Sequence, residues 1–287
     1  NIVLNYVLIF GKFGFPQMGI IGAAIGTLVS RFVMVVFLWV FLKNKEKSRQ
    51  YVAQIWFWVL QSKMIRTIIS LGFPSSLQMF FEVAIFTAAI WLSGVLGKNP
   101  QAANQIALNL ASMTFMIAMG LSVAAMVRVG NQKGLQHFRD LRRIAISIFV
   151  LTFTIEVIFA IFFVLFNELL PTLYLDVKDV ENLADNTEVI AIAAKLLIVA
   201  ALFQISDGIQ VTELGALRGL QDVILPTIIT FIAYWIVGFP ISYYLGLHTS
   251  FKSSGIWIGL LAGLTVSALL LYYRFNVLTK RLIRKAR

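Results

Sequence analysis

The chain has 287 residues, of which 59% are hydrophobic and only 13% charged, about half the charged fraction of a water-soluble domain. The apolar residues run in long blocks rather than at amphipathic spacing, which excludes an ordinary soluble globule and predicts an all-α, polytopic membrane protein. The net charge of +11 sits in short basic patches between apolar runs, which excludes a nucleic-acid surface, and the absence of cysteine excludes disulfides and thiolate metal sites.

In chain order, residues 1–10 read as the tail of a helix. The chain opens on Asn1 with no signal peptide in view, so it is expected to be cut at its front. Seven complete membrane helices follow, at about 17–42, 68–96, 102–127, 144–170, 189–214, 225–246 and 255–277, each near the ~20 residues a bilayer requires. The connecting segments alternate in charge. Segments 43–66, 128–143, 215–224 and 278–287 hold seventeen Lys and Arg, whereas the other set holds four, Lys12, Lys98, Lys178 and Lys252. The positive-inside rule makes the first set cytoplasmic, and with it the C-terminus. The segment 171–188 is acidic, with Asp176, Asp179, Glu181, Asp185 and Glu188, which suits an outer loop.

A shift of 237 residues aligns Tyr6 with Tyr243, Leu8 with Leu245, Gly22 with Gly259, Gly26 with Gly263, Val29 with Val266, Ser30 with Ser267 and Lys43 with Lys280. The shared core is G-x-x-x-G-x-x-V-S inside a helix, and small residues four apart let helices pack closely in lipid. Both copies point the same way, so the repeat is parallel, and parallel halves in transporters flank the substrate path. The expected organisation is 1–42 as the end of a first lobe, 43–66 as a cytoplasmic linker and 67–287 as a complete six-helix lobe. About five helices would then precede Asn1 if the halves match in length.

A charge at the bilayer centre costs roughly 2.5–3.5 kcal/mol on the insertion scale, and the charges that persist usually face a cavity or a partner. Arg31, Glu82, Glu156, Lys195 and Asp207 are the deep candidates. Glu82 shares a helical face with Ser75 and Gln78, on a helix that Pro74 interrupts. Gln204 and Asp207 share another face, beside Gly208. Gln105, Asn109 and Ser112 form a neutral polar stripe on a third helix, and Glu156 lies mid-span beside Thr152. Gln78, Gln105, Asn109, Gln204 and Glu156 are therefore the expected substrate-cavity groups; helix–helix hydrogen bonding is the alternative role for Gln105, Asn109 and Ser112, and structural pairing is the alternative for Glu82 and Glu156. Arg31 could pair with an acid of the absent half, and Lys195, near an outer end, could snorkel to the interface. His137 and His248 fall in loops. No nucleotide-binding loop, zinc-protease motif or nucleophile elbow occurs, so neither an enzyme nor an ATPase is expected.

The stretches F-P-S-S-L-Q-M-F-F-E (73–82), A-A-N-Q-I-A-L-N-L (102–110), R-V-G-N-Q-K-G (128–134) and L-R-G-L-Q-D (217–222), with G-I-I-G-A-A-I-G-T-L-V-S-R-F (19–32), resemble the MATE multidrug and toxin extrusion transporters, in particular their NorM-like bacterial branch. The resemblance covers the whole chain in order. It implies twelve helices in two six-helix lobes facing a shared cavity, in a bacterial inner membrane. It also implies exchange of Na⁺ or H⁺ for small organic, often cationic, drugs, without a cofactor. By resemblance Glu82 and Asp207 match the coupling carboxylates of the second lobe, where Na⁺ would be the only metal bound. Membrane lipid and the missing first lobe are the other expected partners, and the lone lobe is expected not to transport. A lipid-linked oligosaccharide or polysaccharide flippase of the same superfamily is the alternative, although its anionic cargo would favour a basic cavity.

Overall fold

The computed structural model describes residues 1–45, 61–175 and 183–286. Much of the basic linker (including Lys47 and Arg49), the acidic Asp176, Asp179 and Glu181, and Lys178 and Arg287 lie outside the described residues. The chain divides into two compact units, Asn1–Ile65 and Arg66–Arg287. Among the described residues seven helical segments are long and apolar enough to cross a membrane, so the chain is a multi-pass membrane protein.

The first unit is a helical hairpin of α1 (Ile2–Phe10) and α2 (Gly19–Asn44). Gly11 ends α1 in the left-handed region, φ 64°, and returns its N–H to Val7 O, a C-cap a glycine makes without steric cost. Gly22 and Gly26 are the buried residues of α2. A Cβ on Gly22 would stand 2.6 Å from Leu8 O, and one on Gly26 would meet Asn5 Oδ1.

The second unit contains all but the first turn of α3 (Ser62–Leu96), then α4 (Lys98–Gly134), α5 (Phe138–Leu165), the short α6 (Leu169–Thr172), α7 (Leu183–Gly219), α8 (Ile224–Phe231), a π turn (Ile232–Gly238), α9 (Phe239–Leu247) and α10 (Ser253–Lys285). α7 packs against α4, α5 and α10 and is the central post of the unit. Its glycines explain the close fit. A Cβ on Gly215 would meet the Ser122 carbonyl oxygen of α4, and one on Gly219 would stand 2.6 Å from Met126 O. In lipid, where apolar surface gains little from leaving the solvent, such backbone contact is what holds helices together. Ser122 Oγ adds a hydrogen bond to Val211 O at 2.6 Å.

The apolar core centres on fully buried Trp257, whose ring meets Phe203 edge-on at 5.0 Å. Its Nε1–H donates to Asn104 Oδ1 at 2.9 Å, tying α10 to α4. At the opposite end, Arg274 of α10 holds Asp222 with two hydrogen bonds of 2.8 and 3.2 Å.

The glycines of the repeat serve the same purpose in both copies. Gly259 and Gly263 of α10 pack against Ser242 and against Ala233 and Gly238, as Gly22 and Gly26 pack against α1 in the first unit. The π turn precedes Pro240, whose ring cannot donate to the carbonyl of Ile236 and so loosens the helical ladder there.

The observed helices are longer than the apolar windows. α4 runs on to Gly134 and α7 to Gly219, so Arg128, Lys133 and Arg218, expected in loops, are helical. Hydropathy locates the part of a helix that sits in hydrocarbon, whereas backbone hydrogen bonding continues into the polar layer.

Candidate cation and substrate cavity

α3, α4 and α7 line an open-sided cavity of about 400 Å³, within the range of small-molecule sites. α3 contributes Gln78, Met79, Glu82, Val83 and Phe86. α4 contributes Gln105, Asn109, Ser112, Phe115 and Met119, and α7 contributes Phe203, Asp207, Val211 and Arg218. The wall is thus mostly aromatic and aliphatic, with a few polar groups that converge from three helices. Phe86 and Phe203 meet edge to face across α3 and α7, centroids 6.0 Å apart.

The placement of these groups follows from helical periodicity. Gln78 and Glu82 are one turn apart on α3, and Gln105, Asn109 and Ser112 fall on one stripe of α4. Pro74 removes one backbone donor from α3 just before this stretch. Its own carbonyl accepts a hydrogen bond from Thr227 Oγ1 at 2.9 Å, which anchors the interrupted helix to α8.

Glu82 is half-buried, Asp207 is buried, and Asp207 Oδ1 has no hydrogen-bond partner. The two carboxylates lie on different walls of the same cavity and within electrostatic range of each other. Gln105 and Asn109 are exposed, with Asn109 Nδ2 donating to Gln105 O at 3.0 Å.

Two expected cavity groups lie elsewhere. Gln204 is buried behind the wall, where its Oε1 accepts from Thr114 Oγ1 at 2.9 Å, a bond that ties α7 to α4. Glu156 projects from α5 onto α7 outside the cavity wall, buried against Gly208, where a Cβ would stand 2.6 Å from Glu156 Cγ. Neither of its carboxylate oxygens has a hydrogen-bond partner, and it lies within electrostatic range of Asp207. Ser75 bonds Leu71 O of its own helix and does not reach the cavity. Lys195 lines a separate polar pocket with Lys98, Asp185 and Glu188, and Arg31 is exposed on α2.

Arg218 is the polar wall residue that the sequence reading placed in a loop. Its Nη2 donates to Gln78 Oε1 at 2.9 Å. A signal for it was present, because 207, 211, 214 and 218 are spaced i, i+4, i+7, i+11 and share one face once the helix is extended. Glu213, also outside the expected set, is buried on α7 but off the cavity wall.

Among the described residues no three Asp, Glu, His or Cys side chains cluster closely enough to hold a metal ion by themselves. A hard monovalent cation would find two carboxylates here, with the amide oxygens of Gln78 and Asn109 nearby. These oxygen donors suit Na⁺ and equally suit a proton.

Residues 74–244 match the MatE family. Over its full 287 residues the chain is 37% identical to the probable multidrug resistance protein NorM of Agrobacterium fabrum, of which it covers 61%. It is 36% identical over 281 residues to the protein of the same description from Rhizobium meliloti, covering 98% of this chain and 59% of that one. Its fold matches the eukaryotic MATE transporter AtDTX14 with a TM-score of 0.80 at 24% identity, over 100% of this chain and 61% of that one. The chain therefore spans about three-fifths of the length of the relatives it matches. By sequence and by fold, the chain belongs to the MatE family.

Proposed function

We propose that this chain supplies one lobe of a secondary transporter that exports organic, often cationic, compounds in exchange for Na⁺ or H⁺. The observation that carries the reading is a pair of carboxylates, Glu82 and Asp207, on two walls of one largely apolar cavity within the membrane-spanning helices. The relatives named as multidrug resistance proteins support drug-like organic cargo.

The chemistry follows from the setting. Two carboxylates held in a low dielectric repel each other, and a cation shared between them relieves that repulsion. An organic cation, its body against Phe86, Phe115 and Phe203, would compete with the coupling ion for the same charge. Transport needs the ion to favour one arrangement of the protein over the other by differential affinity. The cavity's acids outnumber Arg218 by two to one, which favours cationic cargo over the anionic lipid-linked sugars of a flippase.

The test is drug efflux by the full-length transporter in Na⁺ and in pH gradients. Glu82→Gln with Asp207→Asn should abolish ion-dependent efflux while leaving the protein in the membrane. Efflux that keeps its ion dependence in the double variant sinks the proposal. The proposed location is the bacterial inner membrane with the C-terminus cytoplasmic. Because the chain has no native cysteine, single cysteines placed at Lys280 and at Lys252 report this by labelling from opposite sides.

A further inference from the structure

Arg218 occupies an unusual place for a basic side chain close to a helix end. Such groups usually snorkel toward water, whereas this guanidinium joins the cavity wall and donates to Gln78 Oε1 at 2.9 Å. Its Nε is buried with no hydrogen-bond partner. Gln78 is one turn from Glu82 on the same face of α3, and Arg218 and Glu82 lie within electrostatic range. They nevertheless form no ion pair within 4.0 Å, unlike Lys98–Asp185 and Arg274–Asp222. A guanidinium remains charged in proteins, so the cavity carries a permanent positive charge that is held beside the acidic pair without being locked to it.

The charge of the wall can then be counted. Two carboxylates and one guanidinium leave one negative charge when both acids are ionised. The other titratable groups within electrostatic range of Asp207 are Glu156 on α5 and Tyr234 on the π turn. Both are buried and stand outside the cavity wall, so the count is of the groups that an ion in the cavity can touch. One monovalent cation brings the cavity to neutrality. Without Arg218 the same two acids would call for two, because a charge left uncompensated in a low-dielectric site is expensive.

We propose that Arg218 is a built-in counter-charge that limits the Glu82–Asp207 pair to a single monovalent cation. The inference rests on the reading of that pair as the coupling site. Arg218 is here a positioning residue whose charge sets the number of ions taken up.

The experiment counts cations bound by the purified full-length protein in lipid nanodiscs. Radioactive sodium is counted at equilibrium, and a pH indicator follows protons exchanged in the same sample, so the arms distinguish Na⁺ from H⁺. The Glu82→Gln/Asp207→Asn variant supplies the background, and wild type should exceed it by one cation per protein. In Arg218→Gln the difference should rise to two, and Arg218→Lys, which restores the charge, should return it to one. Arg218→Met keeps the apolar stem and gives the same expectation of two if the glutamine variant does not fold. A difference that stays at one in Arg218→Gln or Arg218→Met overturns the proposal. Equal counts in wild type and the double-acid variant overturn the coupling-site reading itself, and the inference with it.

Discussion

Gly215→Ala is the sharpest test of how the cavity's walls are held. The added Cβ would meet the Ser122 carbonyl oxygen and Ser122 Oγ and stand 2.8 Å from Ser122 C. Ordinary contact begins near 3.4 Å, so α7 and α4 must part locally by roughly 1 Å, which forfeits a quarter to a half of the dispersion energy along the seam. Overpacking of this kind costs roughly 1–3 kcal/mol. Separation also stretches the Ser122 Oγ to Val211 O bond, now 2.6 Å, beyond useful length, at a cost of about 0.5–1.5 kcal/mol. Alanine's better helix propensity returns about 0.5–1 kcal/mol. The middle of each range gives a net loss of about 2 kcal/mol, or a melting temperature lower by roughly 4–8 °C. Tryptophan fluorescence during heating of the detergent-solubilised chain measures it. Gly120→Ala in α4 is the matched control, since a Cβ there has nothing within 4 Å; it should melt at or slightly above wild type. If Gly215→Ala and Gly120→Ala melt together, the argument from backbone contact is wrong.

Other outcomes follow from single contacts. Trp257→Phe keeps most of the ring but leaves Asn104 without its 2.9 Å donor; the buried, unpaired amide should cost about 1–3 kcal/mol in the same melt. Arg274 grips Asp222 through two nitrogens. Arg274→Lys retains the charge but not the fork and should lose part of the stability that Asp222→Asn loses; equal losses would mean that the fork is immaterial. Gly208→Ala should displace Glu156, whose Cγ would lie 2.6 Å from the new methyl. Pairing it with Glu156→Ala should recover at least about 0.5 kcal/mol in a double-mutant cycle, and strict additivity would refute the contact.

The reach and the failure of the linear reading both come from helical geometry. Glu82, Gln78, Gln105, Asn109 and Asp207 were legible because each stands out as polar in an apolar run, and all five line the cavity. Gln204 was legible as a polar group on the face of Asp207, but periodicity fixes a direction to within about a quarter of a turn and says nothing of the neighbour. Thr114, ninety residues away in the chain, captures its oxygen. Glu156 reads as a cavity group because it is a mid-span carboxylate, whereas it packs against Gly208 outside the cavity wall. Arg218 is hidden in the sequence because a charge after an apolar run reads as a loop, whereas the backbone of α7 stays helical to Gly219.

By itself the sequence determined the membrane class, the seven spans, the glycine positions of the repeat and the acids that hydrocarbon would not tolerate without a reason. These are properties of composition and period, carried by each segment alone, because a bilayer demands the same length and polarity of every helix that crosses it. Only the tertiary structure decided which polar groups share a cavity, which are spent in tying helices together, and that a guanidinium joins the acidic pair. Those outcomes depend on which helices become neighbours and at what rotation, and packing between segments far apart in the chain sets both.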